Sequence, residues 1–292
     1  MNPGLKTRQV THANPSTTSR TLLEEDGRIA RMAEKEPAAR SVTARAFAVL
    51  DSFDATHRRQ SLTSISRRTD LPLTTVHRLV HELEKNSALV RGSDGGYEIG
   101  SKIWRLGILA SVHAELREVA LPYMEDVYEL GNVAVQIAVL DGLRCLVVER
   151  IAGSRTMSVV SKPGARLPLH ASGVGKVLLA FGSQELQSAV LNSLDRYTDK
   201  TITDADKLNS QLETIRSQGF AHTHEELAAG ATSVAVPLRG KGGKVIAALG
   251  MVSPSDSTEI SRLVPSLQVT AAALSRKLVE SGLGLASRLH AE

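Results

Sequence analysis

The chain has 292 residues, 42% of them hydrophobic and 23% charged, with a formal net charge of +4. This balance excludes a disordered or fibrous chain and suits two globular domains, each with its own core. Aromatics at 3% argue against base stacking on aromatic platforms, and the single cysteine, Cys145, excludes an internal disulfide.

No run of about eighteen apolar residues marks a membrane span, and the first thirty residues lack an apolar signal core, so the cytoplasm is the expected compartment. Residues 1–38 are rich in Thr, Asn, Ser, Arg and Glu and hold three prolines. They read as a disordered or partly helical extension. It is either inert or an arm that touches DNA through Lys6, Arg8 and Arg20.

The stretch 39–100 reads as a winged helix-turn-helix. A first helix is expected over Val42–Phe53, capped by Ser41 or Thr43, with Ala46, Val49, Leu50 and Phe53 on one apolar face. A second runs over Thr63–Thr69, and Pro72 bars its continuation. A third over Leu73–Asn86 buries Val76, Leu79, Val80 and Leu83. Thr74, Thr75, His77, Arg78, His81 and Lys85 therefore look away from the core. Strands at Leu89–Arg91 and Tyr97–Ile99 flank Gly92-Ser93-Asp94-Gly95-Gly96, a wing whose Arg91 can hold a phosphate backbone. Between Arg40 and Arg91 stand nine Lys and Arg against five Asp and Glu, so the remainder of the chain carries no net charge. The positive charge lies where a DNA-binding motif needs it.

Residues 101–118 read as an apolar linker helix. Pro122 is expected to separate it from the next helix, and it packs either against its twin in a dimer or within its own chain. The second domain, 119–284, carries strands at Val133–Val139, Leu143–Arg150, Thr156–Val160, Ser233–Leu238 and Val245–Val252, with hairpin turns at Asp141-Gly142 and Gly240–Gly243. Helices are expected at Gly173–Phe181, Ser183–Leu194, Thr203–Ser217 (capped by Thr203 and stopped by Gly219) and around Leu263–Leu278. The class is α+β, helices covering one face of a mainly antiparallel sheet. Residues 285–292 form a tail.

Catalytic motifs fail on inspection. Ser172–Lys176 lacks the first glycine of a phosphate loop, which is His170, and Val177 stands where Ser or Thr would bind magnesium. Arg239–Gly243 lacks the third glycine of a dinucleotide fingerprint. No Gly-x-Ser-x-Gly elbow exists. His222 and His224, with Glu225, Glu226 or Cys145, make only a weak metal set. No catalytic residue, metal or cofactor is therefore expected. The backbone N–H groups of Gly173, Val174 and Gly175 at a helix start would attract a carboxylate. Equally, Gly173 and Gly175 would permit close packing of helix on sheet.

Two long blocks carry a resemblance. Leu71-Pro72-Leu73-Thr74-Thr75-Val76-His77-Arg78-Leu79 and Arg166–Ala180, followed by Arg196-Tyr197-Thr198 and Thr201–Asp204, resemble the IclR family of bacterial transcriptional regulators over about residues 41–280. The resemblance implies a GAF-like effector domain, assembly as a homodimer or homotetramer, and control of catabolic genes by a small metabolite. It implies that Thr74, Thr75, His77 and Arg78 face double-stranded operator DNA, to which the wing adds Arg91 and the helix face His81. It implies that Leu167, Leu169, Ser172, Gly173 and Val174 line or border the effector pocket. His170, beside them, is either structural or a ligand contact.

The departures matter. Leu73 replaces a usual lysine. Thr223-His224 stands where an acidic pair normally precedes Glu225-Glu226. Ser233 replaces a common cysteine, and Gly250 and Val252 replace serines. Thr223, Ser233 and Gly250 thus join the expected effector-binding set, with fewer polar partners for a small keto acid. A larger or more apolar organic acid, aromatic or cyclic, is the expected effector. The alternative is a DNA-binding protein whose second domain serves assembly alone.

Overall fold

A computed structural model describes residues 41–54, 57–109, 113–131, 133–153, 161–255 and 259–282. The expected extension 1–38, the strand at Thr156–Val160 and the tail 285–292 lie outside those residues. The chain divides into two compact units between Leu109 and Ala110.

In the first unit, α1 (Val42–Asp51) starts at Ser41, whose hydroxyl accepts from the Ala44 N–H at 3.1 Å. Strand β1 (Arg59–Gln60) follows, and α2 (Leu62–Thr69) is capped in the same way by Ser61. Asp70 turns the chain in the left-handed region at φ 55°, which a short polar side chain tolerates. The Ser66 hydroxyl donates to the Leu71 carbonyl at 2.6 Å and closes the turn. Pro72 then starts α3 (Leu73–Lys85), because its fixed φ suits a helix entry and its missing N–H costs nothing there. Val49, Ile65, Val76, Leu79, Val80, Leu89 and Tyr97 form the core.

Strands β2 (Leu89–Arg91) and β3 (Tyr97–Ile99) make the wing, and β1 pairs with β3 as a third strand that periodicity did not show. Arg59 on β1 grips the wing through Asp94 at 2.9 Å and Glu98 at 2.6 Å. Its guanidinium lies where a side chain at Gly92 would go. Helix α4 (Ser101–Gly107) leaves Trp104 and Leu106 exposed, as is Leu109 beyond it.

The second unit begins with α5 (Ala114–Gly131), which contains Pro122. The expected division at Pro122 is corrected: α4 ends at Gly107, and α5 runs from Ala114 through Pro122. Pro122 removes one helical hydrogen bond. Burial of Leu116, Ala120, Met124 and Val127 on one face keeps the helix continuous across it.

A six-stranded sheet follows in the order β6-β5-β4-β9-β8-β7, antiparallel throughout. Its strands are β4 (Ala134–Asp141), β5 (Arg144–Ile151), β6 (Arg166–Pro168), β7 (Ala221–His224), β8 (Ala231–Arg239) and β9 (Val245–Pro254). Between β6 and β7 run α6 (Gly173–Ala180), α7 (Gln184–Leu191) and α8 (Ala205–Gln218); α9 (Glu259–Arg262) and α10 (Val264–Glu280) end the unit.

Helices cover both faces of this sheet, not one as the sequence suggested. Val135, Ile137, Leu249 and Met251 pack under α5 and α10, while Ala138, Ala235 and Ala248 pack under α6 and α8. Large residues on one face and small ones on the other let α6 sit close. Helix α8 is capped by Asp204, which accepts from the Lys207 N–H at 2.9 Å, and not by Thr203. The Thr203 hydroxyl accepts instead from Arg196 at 3.1 Å.

Candidate functional site

The outward face of α3 carries Thr74, His77, Arg78 and His81, all exposed, with Thr75 half-buried at its margin. They recur at helical spacing opposite Val76, Leu79 and Val80, so burying that stripe is what presents them. Arg91 lies exposed on β2, its guanidinium 5.8 Å from the centre of the Tyr97 ring. Leu73 is also exposed at the helix start.

In the second unit a small cavity of about 30 Å³ opens between the start of α6 and the sheet. Of the residues expected there, Leu167, Ser172, Gly173, Thr223 and Ser233 line it. Leu169, Val174 and Gly250 do not. Leu169 and Val174, the latter on α6 itself, lie in the core between that helix and the sheet, and a Cβ on Gly250 would come within 2.8 Å of Val174 Cγ1. Their role is to bring helix and sheet together behind the cavity.

The two glycines of α6 divide the two readings between them. A Cβ on Gly175 would fall 2.6 Å from the Pro168 carbonyl oxygen and 2.7 Å from Leu169 Cα, so Gly175 serves close packing. Gly173 lines the cavity and has Ser233 Oγ beside it. Ser172 caps the helix: its hydroxyl donates to the Pro168 carbonyl at 2.7 Å and accepts from the Gly175 N–H at 3.2 Å. The Gly173 and Val174 N–H groups of the same first turn stand at the positive end of the helix, where an anion is favoured.

Lining residues that periodicity missed are Gln136, Ser161, Glu226, Leu227, Ala228 and Val252 among others. Glu226, which the sequence offers as part of a weak metal set and of the Glu225-Glu226 pair, lines the cavity instead. Its carboxylate takes the Lys176 ammonium through both oxygens, at 2.7 and 2.6 Å, and Lys176 also reaches Gln211 at 2.5 Å. Burial pushes Lys176 down and Glu226 up from their ordinary pKa values, and their mutual attraction opposes both shifts. His170 lies beneath, with Nε2 2.9 Å from the Asp195 carbonyl and its ring tilted on Tyr197; burial lowers its pKa. Cys145 is buried on β5 and pushed up to about 12 by desolvation, so its thiol stays protonated. His222 and His224 sit on the exposed side of β7, and His222 Nε2 meets the Thr232 hydroxyl at 3.2 Å. A wider, open groove of about 510 Å³ lies along α5 and Lys277 of α10, on the far face of the sheet.

The turn after β7 is held by Glu225, itself at φ 55°. Lys200 at 2.9 Å, the Ser255 hydroxyl at 2.8 Å and the Gly230 N–H at 2.9 Å hold its pKa down to about 2. A depressed carboxylate stabilises the fold above its ordinary pKa of 4.5, and that contribution is lost as pH falls from there towards 2. Glu225→Gln is therefore expected to unfold at lower temperature than the parent at about pH 5 and to lose less on further acidification. Melting curves that stay parallel between the two proteins would refute this.

Two family models match the chain. One, described as the IclR helix-turn-helix domain, covers residues 42–92, and the other, described as bacterial transcriptional regulator IclR C-terminal, covers 109–276. The HTH-type transcriptional regulator XynR of Escherichia coli K12 is 30% identical over 240 residues, 80% of this chain and 95% of that one. The HTH-type transcriptional repressor AllR of the same strain is 29% identical over 223 residues, 75% and 82% of the two chains. An IclR homolog from Microbacterium hydrocarbonoxydans, solved as a complex with 4-hydroxybenzoate, superposes with a TM-score of 0.73 at 35% identity, covering 82% of this chain and 99% of that one. The Thermotoga maritima IclR gives 0.63 at 25% identity, covering 81% and 98%.

Proposed function

The chain belongs to the IclR family of bacterial transcriptional regulators, with a DNA-binding helix-turn-helix unit and a C-terminal ligand-binding unit; we propose that a small organic acid in the α6 cavity controls how it binds its operator. The observation that carries this reading is the α6 start at Ser172 and Gly173, opening onto a lining of Leu167, Ala171, Leu227, Ala228 and Val252. A carboxylate suits the helix start, and a ring suits the apolar remainder. The Microbacterium relative, which binds 4-hydroxybenzoate, supports an aromatic or cyclic acid. Exposed Val42 and Phe47 on α1, with Trp104, Ile108 and Leu109, support assembly as a homodimer or homotetramer. Catabolic genes are the expected targets and the cytoplasm the expected compartment. Among the described residues no helix is long and apolar enough to cross a membrane.

The cavity size favours one second reading. At about 30 Å³ it lies far below the roughly 300–1,000 Å³ of most ligand pockets, so a ring enters only if the wall of Leu227 and Ala228 gives way. An assembly domain indifferent to ligands would have no need to open. Calorimetry and operator binding with benzoate, 4-hydroxybenzoate, cyclohexanecarboxylate, glyoxylate and pyruvate separate the readings. The ring acids are expected to bind and to change operator affinity by about 5- to 150-fold, corresponding to an ordinary coupling energy. Tight binding of glyoxylate or pyruvate would sink the preference for a ring. A flat response to all five would favour the assembly domain.

A further inference from the structure

Most polar side chains around the cavity already have hydrogen-bond partners. Ser172 caps α6. The Thr223 and Ser233 hydroxyls meet at 2.6 Å, and the Thr232 hydroxyl donates to the Thr223 carbonyl at 2.9 Å. Glu226 gives both oxygens to Lys176. Two lining groups remain: Gln136 Oε1 and Ser161 Oγ are buried and, among the described residues, have no hydrogen-bond partner. The residues are 4% and 1% exposed, so bulk solvent does not satisfy them.

An orphaned buried acceptor costs free energy that a ligand can recover. Resting on the reading above, we infer that Gln136 and Ser161 form a second polar subsite, which reads a hydroxyl on the effector away from its carboxylate. A ligand hydroxyl can donate to Gln136 Oε1 while accepting from the Ser161 hydroxyl. A buried water can do the same, and the ligand group takes its place without loss of bonds.

The sheet places this subsite apart from the carboxylate anchor. Gln136 on β4 pairs with Gly250 on β9, which pairs with Ala235 on β8; Ser233, beside Gly173, lies on β8 two residues before Ala235. Two strand spacings, roughly 10 Å of sheet, therefore separate the lines of Gln136 and Ser233. Val252 on β9 lines the cavity between them. That layout suits a ring with a polar group at each end.

Calorimetry on the full chain, with benzoate, its three monohydroxy isomers and 4-methoxybenzoate, tests the assignment. One hydroxy isomer is expected to bind at least about tenfold tighter than benzoate. The methoxy analogue, an acceptor only, should lose that gain. In Gln136→Leu and in Ser161→Ala the preference should shrink to about threefold or less, with benzoate itself bound as before. Gln136→Leu removes an orphaned group, so its melting temperature should hold or rise. Preference unchanged in both variants, or binding of the acids without discrimination, overturns the subsite and leaves the parent reading standing. No binding of any of the five probes overturns both.

Discussion

Lys176→Met is expected to destabilise the C-terminal unit by about 3–5 kcal/mol, roughly 10 °C in its melting transition. The side chain of Lys176 is wholly buried, and its ammonium holds both oxygens of Glu226 and the amide oxygen of Gln211. Neither partner can turn to bulk water when the ammonium is gone. Glu226 then stands nearly buried with an uncompensated charge, and it must take up a proton or break the hairpin away from the cavity. Burial raises the folded pKa of Glu226, and losing Lys176 raises it further. A carboxyl raised above its unfolded value weakens the fold as pH climbs past the unfolded value, so the variant should be worst at neutral pH and recover on acidification towards about 4.5. Glu226→Gln in the same chain should restore most of the loss, because an amide leaves no charge to bury. A single variant within about 1 kcal/mol of the parent at neutral pH would show that the pair does not brace the cavity wall. Thr198 and Thr201 add to that brace, their hydroxyls donating to the Glu225 and Glu226 carbonyls, each at 2.6 Å.

The first unit was legible because its signals are local. Ser41, Pro72 and the stripe Val76, Leu79, Val80 act within a few residues, and the helices they mark fall within one or two residues of where the chain places them. Pro122 misled because its penalty is local while its remedy is not: Leu116, Ala120, Met124 and Val127 bury against strands that follow later in the chain. Thr203 and Asp204 are both good caps, and Arg196, seven residues back, decides between them by occupying the threonine hydroxyl. Helices on both sheet faces were hidden because Ala134, Ala138, Ala235 and Ala248 are too small to register as a second apolar face. The cavity was read in part. The block Leu167–Gly173 is contiguous and marked by its glycines, whereas Gln136, Ser161, Glu226 and Val252 come from separate elements. A polar residue amid the apolar run of β4 was the one signal available for Gln136, since a strand buried on both faces has little reason to carry a glutamine.

Arg78→Ala should reduce affinity for the operator by about 10- to 100-fold, because a good arginine contact to a guanine edge discriminates by roughly 1–3 kcal/mol. The operator itself comes from capture of sheared genomic DNA at physiological salt. Arg78 projects from the middle of the exposed face of α3, whose opposite side is locked by Val76, Leu79 and Val80. Lys85 serves as the contrast: it lies at the end of the same helix, with Glu82 at 3.3 Å. If Lys85 meets a phosphate, Lys85→Ala weakens operator and scrambled duplex alike and reduces the slope of log affinity against log salt by about one. If Arg78 reads a base, its variant spares the scrambled duplex, and the ratio between the two duplexes collapses. Loss of equal size on both would move Arg78 to the backbone, leaving Thr74, Thr75 and His77 to carry direct readout. No loss on either would mean that α3 does not enter the groove by this face. The Arg59 grip on Asp94 and Glu98 fixes the wing independently of α3, so backbone contacts through Arg91 would survive either result.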